Sequence, residues 1–197
     1  MRPLACLVLA VVLVPAALAA AASTPLGLTD RLAKTGELQG FSAPAASGVE
    51  VYRTAAQWAA FGSDPKTEAT RLQKLGFVAA GFEHLAATKL SHRDAVSVVE
   101  QFRTAAAARA ELANAVATYA NGGKLVVSHF AVPGIPGATG LYAHRPDGAG
   151  YDVVFADGAF FYDVGAYSPD PKEPPTSAQI AAAAAKVYRR VHGHPAG

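Results

Sequence analysis

Two apolar runs that flank Asp157-Gly158 constrain the fold of this chain more than any other segment. Residues 151–156 and 159–166 are rich in Val, Phe and Tyr, which are residue types that favour β-strands. Asp-Gly is a preferred two-residue turn of a β-hairpin. The sequence therefore predicts an antiparallel ribbon in which Ala156 lies opposite Ala159 and Phe155 lies opposite Phe160.

The same register places two acids directly opposite each other on the ribbon face that is not the core. This face carries the four candidate ligand-binding residues, Asp152, Val154, Phe161 and Asp163. Opposed like charges destabilise a sheet, so a bound cation, a basic neighbour or a shared proton is expected there. Three alternatives stay open: a solvated pair, a longer turn that separates the carboxylates, and a second layer of packing by the N-terminal segment.

Four segments have the end signals of helices. Asp64 followed by Pro65 is a well-formed helix start, and Gly76 is a matching stop. Thr54 and Thr104 are candidate N-cap residues for two further helices, and Thr176 or Ser177 is expected to cap a last one. Strands are expected in between, at 48–53, 77–87, 95–102, 124–132 and 139–143.

The order of these elements is not the regular strand–helix alternation of a parallel sheet. It predicts an α+β fold with a mainly antiparallel sheet, and the single apolar stripe of each helix suggests that the helices pack on one face. The expected organisation is a signal peptide over residues 1–22, an extended lead-in over 23–47 and a single α+β domain over 48–197.

The N-terminal residues have the features of a cleavable secretory signal. Arg2 precedes an apolar stretch from Leu4 to Val14, and Pro15 and small side chains up to Ala22 follow it. The membrane would be involved only if this signal stayed uncleaved. Cys6, the single cysteine of the chain, lies too early for a lipoprotein signal, so the exported protein is expected to contain neither a disulfide nor a thiolate site.

Composition and motifs argue against several functions. The net charge is only +2 and there is no run of Lys or Arg, so nucleic-acid binding is not expected. No cofactor motif stands out in the sequence, so no cofactor is expected. Nucleophile and metalloprotease motifs are missing as well, since the sequence contains neither a Gly-x-Ser-x-Gly elbow nor a His-Glu-x-x-His motif. His192 and His194 form the only close histidine pair, and a metal site needs more ligands than these two.

Three segments, 36–41, 71–77 and 132–138, resemble uncharacterised alanine-rich exported proteins of high-GC bacteria. The chain is more distantly similar to exported sensor or lipoprotein domains of such bacteria, and this resemblance implies ligand binding without catalysis. We therefore expect a secreted, non-catalytic domain of the cell envelope that binds a small apolar ligand, an envelope component or a protein partner. The alternative is a hydrolase in which Asp152 and Asp163 converge with His129 or His144.

Overall fold

The structure is a computed structural model, and it describes residues 25–43, 48–87, 94–120, 126–145, 148–170 and 175–195. The predicted signal peptide therefore lies outside the described residues. The strands are β1 (Phe41–Ser42), β2 (Glu50–Tyr52), β3 (Phe77–Ala87), β4 (Asp94–Phe102), β5 (Val126–Phe130), β6 (Thr139–Arg145), β7 (Gly148–Asp157) and β8 (Phe160–Ser168). The helices are α1 (Ala55–Ala59), α2 (Pro65–Leu75), α3 (Ala105–Ala120) and α4 (Ser177–Val191), and a short 3-10 turn spans Thr29–Arg31.

All strands of the described residues belong to one antiparallel sheet, in the order β1-β3-β4-β8-β7-β6-β5, with β2 also paired to β3. The predicted α+β class and the mainly antiparallel sheet are confirmed. The helices, however, pack on both faces of the sheet and not on one. Strands β7 and β8 are apolar on both faces, so each face needs its own cover, whereas a stripe on a helix does not reveal which face it covers.

One face, called the α4 face, is covered by α4 and by residues 28–41. Leu32, Leu38 and Phe41 of the expected lead-in are buried against Val153 and Phe155 of β7. The lead-in is thus part of the core, and it supplies the edge strand β1.

Arg31 lies at the centre of this face and is fully enclosed. Its guanidinium donates to the Tyr162 hydroxyl at 3.0 Å and to the carbonyls of His194 and Pro195 at 2.8 and 2.6 Å, and it lies over the ring of Phe160. An ion pair on the same face joins Arg190 of α4 to Glu37, with nitrogen–oxygen distances of 2.9 and 2.8 Å.

The other face, called the α3 face, is covered by α1, α2 and α3. Its apolar core contains Leu72, Phe102, Leu141, Val154 and Phe161. The predicted helix ends are confirmed: Asp64 caps α2 by accepting from the Thr67 N–H, and Gly76 ends it with a φ of 77°. No helix within the described ranges has both the length and the apolarity needed to cross a bilayer.

The hairpin forms as predicted, but its register is shifted. Asp157 pairs with Phe160, so the two-residue loop is Gly158-Ala159 and not Asp157-Gly158. Gly158 has a positive φ of 56° and Ala159 does not, which suits a turn with glycine at its first central position. The predicted turn would have required a positive φ at Asp157 as well.

Candidate functional site

Three acids lie in a diagonal row on the α3 face and are called the carboxyl row: Glu100 of β4, Asp163 of β8 and Asp152 of β7. Glu100 pairs with Phe161, while Asp163 pairs with Val154 and Asp152 with Gly165. Each acid is thus displaced by two residues from the next, which keeps all three side chains on one face because side chains alternate with period two.

The predicted opposition of Asp152 and Asp163 is therefore wrong, although the prediction that they share a face is correct. A register shift of two residues preserves the face and turns a direct pair into a diagonal one. The face itself was misassigned: α3 covers it as a second layer of core, which was expected to come, if at all, from the N-terminal segment.

Glu100 occupies the deepest position of the row and is only 6% exposed. Its Oε1 accepts from the indole Nε1 of Trp58 at 2.8 Å, while its enclosed Oε2 has no partner. Burial, together with the charge of Glu111, raises the pKa of Glu100 to about 8, against the opposing effects of the Trp58 hydrogen bond and of Arg71.

Asp163 lies between the other two acids. Its Oδ1 is inaccessible to solvent and has no hydrogen-bond partner. Burial and the neighbouring charges of Asp152 and Glu100 raise the pKa of Asp163 well above its usual range. Since adjacent acids in a poorly solvated site cannot all ionise cheaply, part of the row holds protons near neutral pH.

Asp152 ends the row and is half-buried. It lies directly over Gly165, where no larger residue would fit, and the Tyr119 side chain of α3 is its hydrogen-bond partner. Burial raises the pKa of Asp152 to about 7, and the hydrogen bond with Tyr119 opposes this rise.

The nearest cation of the carboxyl row is already engaged. Arg71 of α2 binds Glu68 at 2.8 and 2.5 Å and Glu111 of α3 at 2.5 and 3.0 Å. This cluster ties α2 to α3 and leaves Arg71 acting on Glu100 only through its charge.

Asp152 lines a cavity of about 430 Å³, which we call the sheet pocket. Most of its wall is made of small residues on β4, β6, β7 and β8, and the end of α3 closes one side. The lining residues are Asp94, Ala95, Val96, Tyr119, Ala143, Gly150, Asp152, Gly165, Ala166 and Tyr167.

A second depression of similar volume lies on the other side of Tyr119, between α3 and the first turn of α2. Its acids include Glu68 and Glu111, whose charges Arg71 satisfies. The sheet pocket differs from it because the half-buried acid in its wall, Asp152, has no basic partner among the described residues.

Of the four candidate ligand-binding residues, the structure places only Asp152 in a pocket wall. Val154 and Phe161 are buried in the core beneath α3. Asp163 lies diagonally across from Asp152 on β8 and is not among the residues that line the sheet pocket. Sequence reasoning missed Glu100 and Tyr119. Glu100 is in phase with Val96 and Val98 on a strand whose apolar residues predict burial, and that phase was the available signal.

The histidines considered for catalysis do not contact these acids. His129 shares the α3 face, but it pairs with Leu141, which separates it from Asp152 by one full strand. His144 lies on the opposite face of β6. Among the described residues, no group of three or more His, Cys, Asp or Glu side chains is arranged to hold a metal ion.

No known family model matches the chain, and no curated protein is significantly similar to it. The fold is similar to that of the extracellular domain of PknH from Mycobacterium tuberculosis, with a TM-score of 0.50 and 16% sequence identity. The match covers 82% of this chain and 95% of that chain. At this identity the likeness shows a shared fold.

Proposed function

We propose that this chain is a non-catalytic extracytoplasmic domain that binds a small, largely apolar ligand in the sheet pocket. The observation that carries the proposal is a cavity of about 430 Å³ whose wall consists mainly of Ala, Gly, Val and Tyr, with the half-buried Asp152 carboxyl group among them. Ligand sites have this size and this combination of apolar walls with a few polar groups.

An extracytoplasmic location is supported by the signal-like features of residues 1–22 and by the fold shared with an extracellular domain. The expected ligand is a small molecule or a component of the cell envelope. N-terminal sequencing of the exported protein would show cleavage near Ala19 or Ala22, whereas retention of Met1 in a detergent-extracted form would indicate a membrane anchor.

The binding proposal is tested by closing the pocket. Ala143→Phe places a ring in the pocket wall, and Ala182→Phe places the same ring at an exposed position of α4 on the other face. Native mass spectrometry of protein purified from its own envelope should show a bound small molecule in the wild type and in Ala182→Phe, and none in Ala143→Phe. A ligand retained by Ala143→Phe would place binding elsewhere and refute the proposal.

A further inference from the structure

The sheet pocket has an acidic lining. Two of its lining residues are acids, Asp94 at the rim and Asp152 in the wall, and none of the described residues that line it is Lys, Arg or His. Asp94 is largely exposed to solvent and its carboxylate already has a hydrogen-bond partner, the His84 imidazole at 3.1 Å. Asp152 is the acid in the wall of the cavity.

The groups around Asp152 leave its negative charge uncompensated. From α3 it meets the Tyr119 hydroxyl, from β8 Gly165 and Asp163, and from β6 the apolar Leu141. Glu100 is the next acid of the carboxyl row, on the side of Asp163 that is away from Asp152. Each neighbouring titratable group is thus an acid or a phenol, and His129 is separated from Asp152 by β6.

An ammonium group in the pocket would supply the positive charge that the described residues around Asp152 do not provide. It would donate to the Asp152 carboxylate in a poorly solvated site, where charge-assisted hydrogen bonds are strong. Tyr119 and Tyr167 line the same cavity, and an aromatic ring favours a cation over an anion at its π face. A carboxylate ligand would instead meet two acids.

We infer that the ligand of the sheet pocket is an organic amine, whose ammonium group pairs with the Asp152 carboxylate while its apolar part lies against Ala143, Val96 and Gly150. This inference rests on the proposed function, because it specifies the ligand class of the same pocket.

The test compares three probes of similar shape on the full chain by calorimetry and NMR: phenethylamine, the neutral phenethyl alcohol and the anion hydrocinnamate. At about pH 8, where the amine is still protonated, we expect it to bind at least about tenfold more tightly than the alcohol. Hydrocinnamate should bind more weakly than either.

Asp152→Asn should bring the affinity of the amine to within about twofold of the alcohol, because the charge pair is lost while the shape is kept. Asp30→Asn, at an exposed position near the other face, is the matched control and should leave both affinities unchanged. In the wild type, the affinity for the amine should also fall by about tenfold from pH 8 to pH 5.5, as Asp152 takes up a proton. Alcohol binding should not change, so this pH arm applies even if Asp152→Asn does not fold.

The outcomes separate the two proposals. If the alcohol binds as tightly as the amine, and Ala143→Phe abolishes both, the pocket binds ligands but the amine inference is wrong. If amine binding survives Ala143→Phe, or if no probe perturbs the Ala143 and Gly150 amide signals, both the inference and the pocket are overturned.

Discussion

Arg31 on the α4 face and Glu100 on the α3 face are both almost completely enclosed, yet their surroundings differ. Arg31 meets one hydroxyl and two carbonyls, all within 3.0 Å, and only its Nε lacks a partner. Glu100 has a single hydrogen bond and two further acids near it in the carboxyl row. A buried charge that stabilises a fold is matched by its neighbours, so the unmatched acids support the choice of the α3 face for the proposed binding site.

The largest effect on stability is expected when the hydrogen bonds of the buried Arg31 are removed. Arg31→Met keeps much of the side-chain volume but removes the hydrogen bonds to the Tyr162 hydroxyl and to the His194 and Pro195 carbonyls. Of these acceptors, the Pro195 carbonyl keeps the bond from the Leu26 N–H. We expect a loss of about 3 kcal/mol in the free energy of unfolding, measured by urea denaturation. Arg109→Met, at an exposed position of α3, should change it by less than about 0.5 kcal/mol. Equal stability of the two variants would show that Arg31 does not hold the α4 face together.

A smaller change, and a gain in stability instead of a loss, is expected when an acid of the carboxyl row is replaced by its amide. The folded-state pKa of Glu100 is raised to about 8, so the native state keeps a proton that the unfolded chain releases. Stability should therefore fall as the pH rises from about 4.5 to about 8. Glu100→Gln keeps the acceptor for Trp58 and should gain about 1–3 kcal/mol at pH 8 and almost nothing at pH 5.

Asp163→Asn should behave in the same way, and the gain should hardly depend on salt, because buried charges are poorly screened. Thermal melts across this pH range would test both variants. A loss of stability at pH 8 would mean that a cation is held in the row.

The smallest effect concerns Glu37, the acid that pairs with Arg190 on the α4 face. Burial alone would raise the pKa of Glu37, but hydrogen bonds from Arg190 and from the Lys34 N–H hold it below its usual range. The stabilisation is present above pH 4.5 and is lost as the pH falls through this lowered pKa. Glu37→Gln should therefore cost about 1 kcal/mol at neutral pH and nothing in acid. A gain at neutral pH would remove the contrast between the two faces.

Local signals in the sequence predicted most of the elements, and long-range pairing explains what was missed. Asp64 and Gly76 mark the ends of α2 because capping depends on nearby backbone groups. The hairpin register depended on whether Asp157 or Ala159 joins Gly158 in the turn, and the residues themselves allow both. The role of Arg31 had no local signal, since its carbonyl partners lie more than 160 residues away in the chain.

The site was only partly predictable for the same reason. The sequence drew attention to Asp152 and Asp163 because they flank one turn. It could not show that β4 brings Glu100 beside them, or that Tyr119 of α3 reaches Asp152, because these contacts depend on strand order and on which face a helix covers.

The contacts of Arg31 also determine when the domain can be completed during synthesis. Residues 194 and 195 supply its acceptors, and the Leu26 N–H donates to the Pro195 carbonyl at 3.3 Å. Residues 26–31 therefore cannot make these contacts until residues 194 and 195 have emerged from the ribosome. Until then the α4 face lacks both α4 and the carbonyl acceptors of Arg31, so this face can close only after residue 195 has been synthesised.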